Sequence, residues 1–349
     1  MLIKKTAEEL TLLLENILLL SGANNKTAKR VSEALISSSL VGVDSHGVWQ
    51  IIRYVKGIKN GDYNPKATPS VVSQTNSTAT ISGNWNFGHV GAKLAIETAI
   101  KKAKKTDISI VGLIEAGHIG RLGEYAEIAA KENMCSIIMG GGYGVQDPRA
   151  VPYGGRDKIL STNPIAIGFP IENENPFIMD YATTTSAASK IRKAAFKDEM
   201  IPLGYLVDKD GVPTQDAKKM FEGGGQSPFG EHKGYALMVA VELLGRILNG
   251  ADEYSNTSRG DIYRNQGVSF IVFKSDVFSS KNIVNEKGAE LRWALKNSTP
   301  AKGFERVLVP GDLEEEIFNQ RSVEGIPIEK EIWTEMIAIQ NDLLGKSKI

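Results

Sequence analysis

Gly117-His118-Ile119-Gly120-Arg121-Leu122-Gly123 lies between an apolar run, Ile108-Ser109-Ile110-Val111-Gly112-Leu113, that reads as a buried strand, and residues 121–133, which read as a helix. A glycine turn between strand and helix is where a Rossmann unit carries G-x-G-x-x-G, followed by an acid about 20 residues on. Here the glycines fall at every third position, so that fingerprint is absent. A second cluster, Gly140-Gly141-Gly142-Tyr143-Gly144, follows an apolar strand at 135–139, but Pro148 and Pro152 deny it a helix. An ordinary Rossmann domain is therefore not expected. The turn at 117–123 still brings backbone N–H groups to a helix start, which suits an anion in any fold and equally suits a plain helix entry.

Strands and helices intermix outward from this turn. Leu10, Leu12, Leu13, Leu14, Ile17 and Leu18 recur at helical spacing around Glu8, Glu9 and Glu15, an amphipathic helix and not a signal peptide. Asn24 or Asn25 caps a second helix through Leu40, and a third runs from Val48 to Lys59 with Ser45 as its expected N-cap. Segments 70–73 and 79–82 look like paired strands and 91–106 like a helix. Beyond the turn come short strands at 165–169 and 177–180, a helix at 186–196 and a hairpin-type turn at Lys209-Asp210-Gly211. A long apolar helix at 233–248, a strand at 268–273 and helices at 286–296 and 329–344 follow. No repeat or low-complexity tract interrupts them. The expected class is mixed α/β (α+β).

The chain has 349 residues with 41 Lys+Arg against 41 Asp+Glu, so its net charge is zero. No global field favours nucleic acid or an anionic membrane, and no stretch reaches the roughly 18 apolar residues of a membrane span. The single cysteine, Cys135, excludes an intramolecular disulfide and sits in a strand-like run, which fits a cytoplasmic protein. The histidines have no paired spacing such as H-E-x-x-H, so no metal site is expected.

All four histidines neighbour glycine: His46, His89, His118 and His232. His46, placed in the first helical turn after Ser45, is expected to be kept neutral by the helix dipole, as a proton acceptor requires. Asp180 closes the strand Phe177-Ile178-Met179 and suits either a histidine partner or a ribose hydroxyl. Lys233 enters a helix N-terminus against the dipole, so its placement asks for an anionic partner, a ligand or Glu231. His232 reads as support for Lys233, and His89 as structural or pocket-rimming.

Taken in order, the segments Asp44-Ser45-His46-Gly47-Val48, Phe87-Gly88-His89-Val90, Gly117 to Gly123, Val151-Pro152-Tyr153-Gly154-Gly155-Arg156, Ser161 to Pro170, Asp180-Tyr181-Ala182-Thr183, His232-Lys233-Gly234-Tyr235 and Val309-Pro310-Gly311-Asp312 resemble the type-2 malate/L-lactate dehydrogenase family. These are non-Rossmann NAD(P)-dependent oxidoreductases, and the resemblance covers nearly the whole chain. It implies a mixed sheet unit with helices from both chain ends packed together. The corresponding division is a helical domain, 1–69 plus 284–349, and a cofactor and substrate region, 70–283. It also implies NAD or NADP, with NAD favoured, and a homodimer whose neighbour helps close the active site.

The cofactor positions it implies are His46, Gly120, Arg121, Leu122, Gly142, Asp180, Tyr181, Ala182, Thr183, Lys233, Pro310, Gly311 and Asp312. The chemistry implied is hydride transfer between nicotinamide C4 and the carbon bearing a hydroxyl, coupled to a proton. His46, oriented by Asp180, and His118 are both candidates for the proton, Ser45 for a hydrogen bond to substrate, and Tyr54 for lining the pocket. One departure concerns the substrate. Several members carry arginine four residues after the Ser-His-Gly histidine, where it clamps a carboxylate; here that position is Gln50. Arg53 lies off that face by helix geometry, and Arg121 is a further replacement. The expected activity is therefore that of a 2-hydroxy-acid dehydrogenase of open substrate. A cyclic-imine (ketimine) reductase is the alternative on the same scaffold. A non-catalytic binding protein is the alternative from another class, and the presence of His46, His118, Asp180 and Lys233 argues against it.

Overall fold

Strand 134–141 shows why the chain layers as it does: Ile138 faces one side and Ile137 and Met139 the other, each packed in a separate apolar cluster. A strand buried on both faces needs cover on both. The computed structural model describes residues 1–257, 260 and 263–346. It opens with strand β1 (Leu2–Lys5) and helices α1 (Ala7–Leu20), α2 (Asn25–Leu40) and α3 (Gln50–Asn60). The central part runs β2 (Ser70–Gln74), β3 (Thr78–Ser82), α4 (Gly88–Thr106), β4 (Ile108–Ile114), α5 (Gly123–Lys131), β5 (Met134–Gly141), β6 (Ile165–Phe169) and β7 (Phe177–Tyr181). Then come α6 (Ala188–Phe196) and the short strands β8 (Leu206–Val207), β9 (Pro213–Thr214) and β10 (Gly225–Gln226). The chain ends with α7 (His232–Glu242), β11 (Gly267–Lys274), α8 (Lys281–Lys296), α9 (Asp312–Glu324), β12 (Ile326–Glu329) and α10 (Lys330–Lys346).

The seven-stranded sheet has the order β2-β3-β4-β11-β5-β6-β7. Only β3 and β4 pair in parallel, joined by the α4 crossover; the other neighbours are antiparallel. The sheet is mixed, as the resemblance implies, and is not the Rossmann sheet that the glycine spacing argued against. Ala92, Ala95, Ala99 and Ala103 give α4 a flat face that packs against Val111, Leu113 and Phe270, with Tyr125 and Ala126 of α5 beside it. Val241 and Leu237 of α7 cover the opposite face.

The helices from the two chain ends pack together. Thr6 and Glu9 form a reciprocal capping box at α1, and of the two candidates Asn24 is the cap of α2. Leu10, Leu14 and Ile17 pack with Val31, Ile51, Tyr54 and, from the other end, Met336 of α10. β1 pairs with β12, which ties the termini. Helix α8 instead lies by β7, with Ala289 against Ile171, Phe177 and Val309, so a division at 283/284 cuts through it.

Three local differences from the sequence reading bear on the site. Asp44–His46 is a 3-10 turn, Gly47 is extended, and the helix begins only at Gln50. Ser45 therefore caps nothing; the Val48 N–H donates to Ser39 Oγ (3.0 Å) from α2 instead. Helix α4 starts at Gly88, three residues before the expected Gly91, and takes in His89. Helix α7 ends at Glu242 and continues as a wider π turn, Leu243–Ile247.

Candidate active site

Four side chains from four elements form one hydrogen-bonded line where the helical unit meets the sheet. His46 Nδ1 lies 3.1 Å from His118 Nε2, and His118 Nδ1 lies 2.7 Å from Tyr54 Oη. The same hydroxyl lies 2.9 Å from His89 Nε2. The fold assembles this line locally. The 3-10 turn presents His46, α3 carries Tyr54, the first turn of α4 carries His89, and the glycine turn after β4 carries His118. Gly120 has no room for a side chain: a Cβ there would fall 2.2 Å from His89 Cε1, and its φ is +74°. Tyr54 and His89 are fully buried.

The electrostatics hold the imidazoles neutral. Burial, then the charges of Arg121 and Arg53, lower the His46 pKa to about 4. Burial and its neighbours also push His118 and His89 well below their usual 6.5. Burial raises the Tyr54 phenol well above 10.0. The helix dipole invoked from sequence has no part in this, because His46 precedes α3 by several residues.

Asp180 does not orient His46. Its Oδ2 accepts the Gly123 N–H (2.7 Å) at the start of α5, since the end of β7 faces that helix. Burial pushes its pKa up to about 6 against that hydrogen bond and the Arg121 charge. Arg121 is buried and bonds Glu127 through Nη1 (2.8 Å), while its Nε and Nη2 have no partner among the described residues. Gln50 is buried too. Its amide donates to the Ser45 carbonyl (2.7 Å), leaving only Oε1, buried and without a partner. The Ser45 side chain is partly exposed beside this contact.

The remaining expected cofactor residues divide. Asp180 and Tyr181 line one cleft together with Pro310 and Gly311. Ala182 is partly exposed next to them, and Lys233 is exposed at the start of α7. Three positions are engaged inside the protein instead. Thr183 Oγ1 donates to the Thr162 and Asn163 carbonyls, the Gly142 N–H donates to Glu242 Oε2, and Asp312 pairs with Lys296 (3.0 Å). Leu122 places its side chain in the sheet core. The His232 ring meets Tyr153 edge-on at 5.9 Å.

Sequence reasoning missed a cluster of arginines. Arg53 reaches the Tyr143 hydroxyl (3.5 Å) and lies over the Tyr263 ring, so it faces the site. Its offset from Gln50 on α3 is three residues, about 60° around the helix, which a long side chain spans. Arg149 Nη2 donates to the same Tyr143 hydroxyl (2.9 Å) and pairs with Asp147. Arg192 of α6 has its pKa lowered by burial and by the charge of Arg149, with Arg53 also acting on it. Arg149 follows a Pro-interrupted loop and Arg192 sits on an ordinary amphipathic helix, so neither carried a signal beyond its charge.

Neutral proton carriers beside cations short of partners suit hydride and proton transfer on an anionic substrate, the work of an oxidoreductase. The sequence profile of the malate/L-lactate dehydrogenase family matches residues 6–337. The L-sulfolactate dehydrogenase of Methanocaldococcus jannaschii is 37% identical over 325 residues, 92% of each chain. The malate/(S)-sulfolactate dehydrogenase of Methanothermus fervidus is 34% identical over 96% of this chain and 97% of its own. Among solved structures, the sulfolactate dehydrogenase from Methanocaldococcus jannaschii superposes with a TM-score of 0.88 at 35% identity, covering 98% of this chain and 97% of that one. The chain belongs to the malate/L-lactate dehydrogenase family. It is a nicotinamide-dependent dehydrogenase of hydroxy acids, which removes the non-catalytic reading.

Proposed function

We propose that this dehydrogenase interconverts a 2-hydroxy acid and its 2-oxo acid in which the substrate carries a second anionic group, a sulfonate or a carboxylate. The observation that carries this reading is the surplus of charge around Tyr143: Arg53 and Arg149 both reach its hydroxyl, and the charges of both bear on Arg192, with Asp147 paired to Arg149 as counter-charge. Such repulsion is relieved by an anion. The similar proteins named for sulfolactate and malate, both dianions, support the same class. A cyclic-imine reductase of Pseudomonas syringae shares the fold at 25% identity, and no residue here favours its reaction over the hydroxy-acid one.

The residues present fit a dinucleotide. Two buried Arg121 nitrogens lack partners, and Lys233 stands exposed at a helix start. Arg121 and Lys233 would take its anionic groups, with the Asp180–Tyr181 and Pro310–Gly311 cleft along its path. When bound, the nicotinamide supplies the hydride acceptor for oxidation and the donor for reduction. His46 Nε2 is the ring nitrogen of the His46–His118 pair left without a protein partner, so it takes the hydroxyl proton as the carbonyl forms and returns it in reduction. NAD rather than NADP, and a cytoplasmic setting, belong to this proposal. So does a homodimer, supported by the exposed apolar face of Leu243, Leu244, Ile247 and Leu248; a monomer in light scattering removes it.

The test is absorbance at the nicotinamide band with NADH and NADPH, across oxo acids bearing one or two anionic groups and cyclic imines. The 2-oxo counterparts of sulfolactate and malate are expected to give the highest kcat/KM. Equal turnover of singly charged oxo acids would sink the dianion reading.

A further inference from the structure

We propose that His89 is a positioning residue that fixes, through Tyr54 and His118, which nitrogen of His46 carries the proton. The argument is a count of donors. The Tyr54 hydroxyl has one proton and stands between two imidazole nitrogens, 2.9 Å from His89 Nε2 and 2.7 Å from His118 Nδ1. It donates to one and must accept from the other.

The surroundings of His89 decide which. Its Nδ1 edge faces the glycine of the turn, since a Cβ on Gly120 would sit 2.8 Å from Nδ1. Nδ1 has no hydrogen-bond partner among the described residues, and the Ile119 backbone acts on the ring in the sense that favours its protonated form, as its acceptor, the carbonyl, does. That carbonyl already accepts from Tyr125 Oη (2.5 Å) and keeps a second lone pair. A neutral His89 therefore carries its proton on Nδ1 and offers Nε2 as an acceptor. Tyr54 donates to it. His118 Nδ1 then donates to Tyr54 Oη, His118 Nε2 is an acceptor, and His46 Nδ1 donates to that nitrogen across 3.1 Å. The outcome is a lone pair on His46 Nε2, the form that accepts a proton from an alcohol. His89 touches no reacting atom, and its influence passes through two hydrogen-bonded groups from a helix start more than forty residues away in sequence.

The chain has four histidines, so ring ¹⁵N spectra of the labelled full-length protein resolve each one. The expected wild-type spectrum has His46, His89 and His118 as Nδ1–H tautomers, with His232 as the exposed reference. In His89→Leu, Tyr54 is free to donate to His118, and His118 and His46 switch to Nε2–H. His89→Gln keeps an acceptor oxygen and restores the wild-type pattern. Hydroxy-acid oxidation falls roughly 10²-fold in His89→Leu and recovers largely in His89→Gln, as lost acid–base positioning predicts. A folded His89→Leu protein with unchanged tautomers overturns the inference. If that variant does not fold, the wild-type spectrum decides alone: an Nε2–H tautomer at His89, His118 or His46 overturns it. The inference rests on the proposed function only for the role of His46. The spectra do not depend on activity, so failure on every substrate with the expected tautomers counts against that function and not against the relay.

Discussion

The line of imidazoles and the arginine cluster lie side by side and are built on opposite terms. His46, His118, Tyr54 and His89 are hydrogen-bonded in one line, with both nitrogens of His118 and the Tyr54 hydroxyl engaged by protein groups. Around them Arg121 keeps two buried nitrogens without partners among the described residues, and Arg53 and Arg149 converge on the Tyr143 hydroxyl while their charges bear on Arg192. A group satisfied by the protein holds its geometry whatever is bound. A charged group left short of protein partners keeps hydrogen bonds free for a ligand. The difference separates proton handling, which needs a fixed tautomer, from recognition, which needs residual affinity.

The largest way to break this comparison is His118→Ala. It removes the middle of the line, so His46 Nδ1 loses its partner and Tyr54 loses its donor. Turnover of the preferred hydroxy acid is expected to fall 10²–10⁴-fold with little change in cofactor affinity. Steady-state kinetics and calorimetry with the dinucleotide check both halves. A variant that keeps most of its kcat would show that the line is structural.

The arginine side responds differently. Arg192→Gln is expected to raise the KM for a dianionic substrate about tenfold, near the 1.4 kcal/mol of one charged contact, with kcat little changed. A singly charged substrate should not notice the change. An equal loss for both substrate types would mean that Arg192 supports the loop and not the ligand.

How much of this was legible follows from how local each signal is. The non-Rossmann sheet was readable because glycine spacing at 117–123 and the strand patterns on either side are local. His46 and His118 were readable as a pair of chemical suspects for the same reason. The line they belong to was not. His89 joins it only because α4 begins at Gly88 and α3 lays Tyr54 across it, a meeting of segments 35 residues apart. Arg53 was set aside as off the face of Gln50, although three residues on α3 amount to only about 60° and its side chain reaches Tyr143. Asp180 was assigned to His46 by chemistry alone, and its true partner, a backbone N–H on α5, has no sequence signature.

The smallest expected effect is on stability, and it sharpens the comparison by asking what keeps the imidazoles neutral. His46 titrates near 4 in the folded protein, below the usual 6.5, and His118 and His89 are pushed down as well. Between those values the unfolded chain binds protons that the folded one refuses, so their stabilisation is complete above about 6.5 and is lost as pH falls toward 4. Asp180 runs the other way. Raised to about 6 from 3.8, it binds its proton first in the folded protein and so adds stability as pH falls through 6. Three histidines outweigh one carboxyl, and the melting temperature should drop by a few degrees from pH 7 to pH 5. Placing glutamine at His46 should shrink that drop, because an amide has no proton to take up. An unchanged melting temperature across this range would mean that water reaches the imidazoles freely, and the line would then be no more enclosed than the arginines beside it.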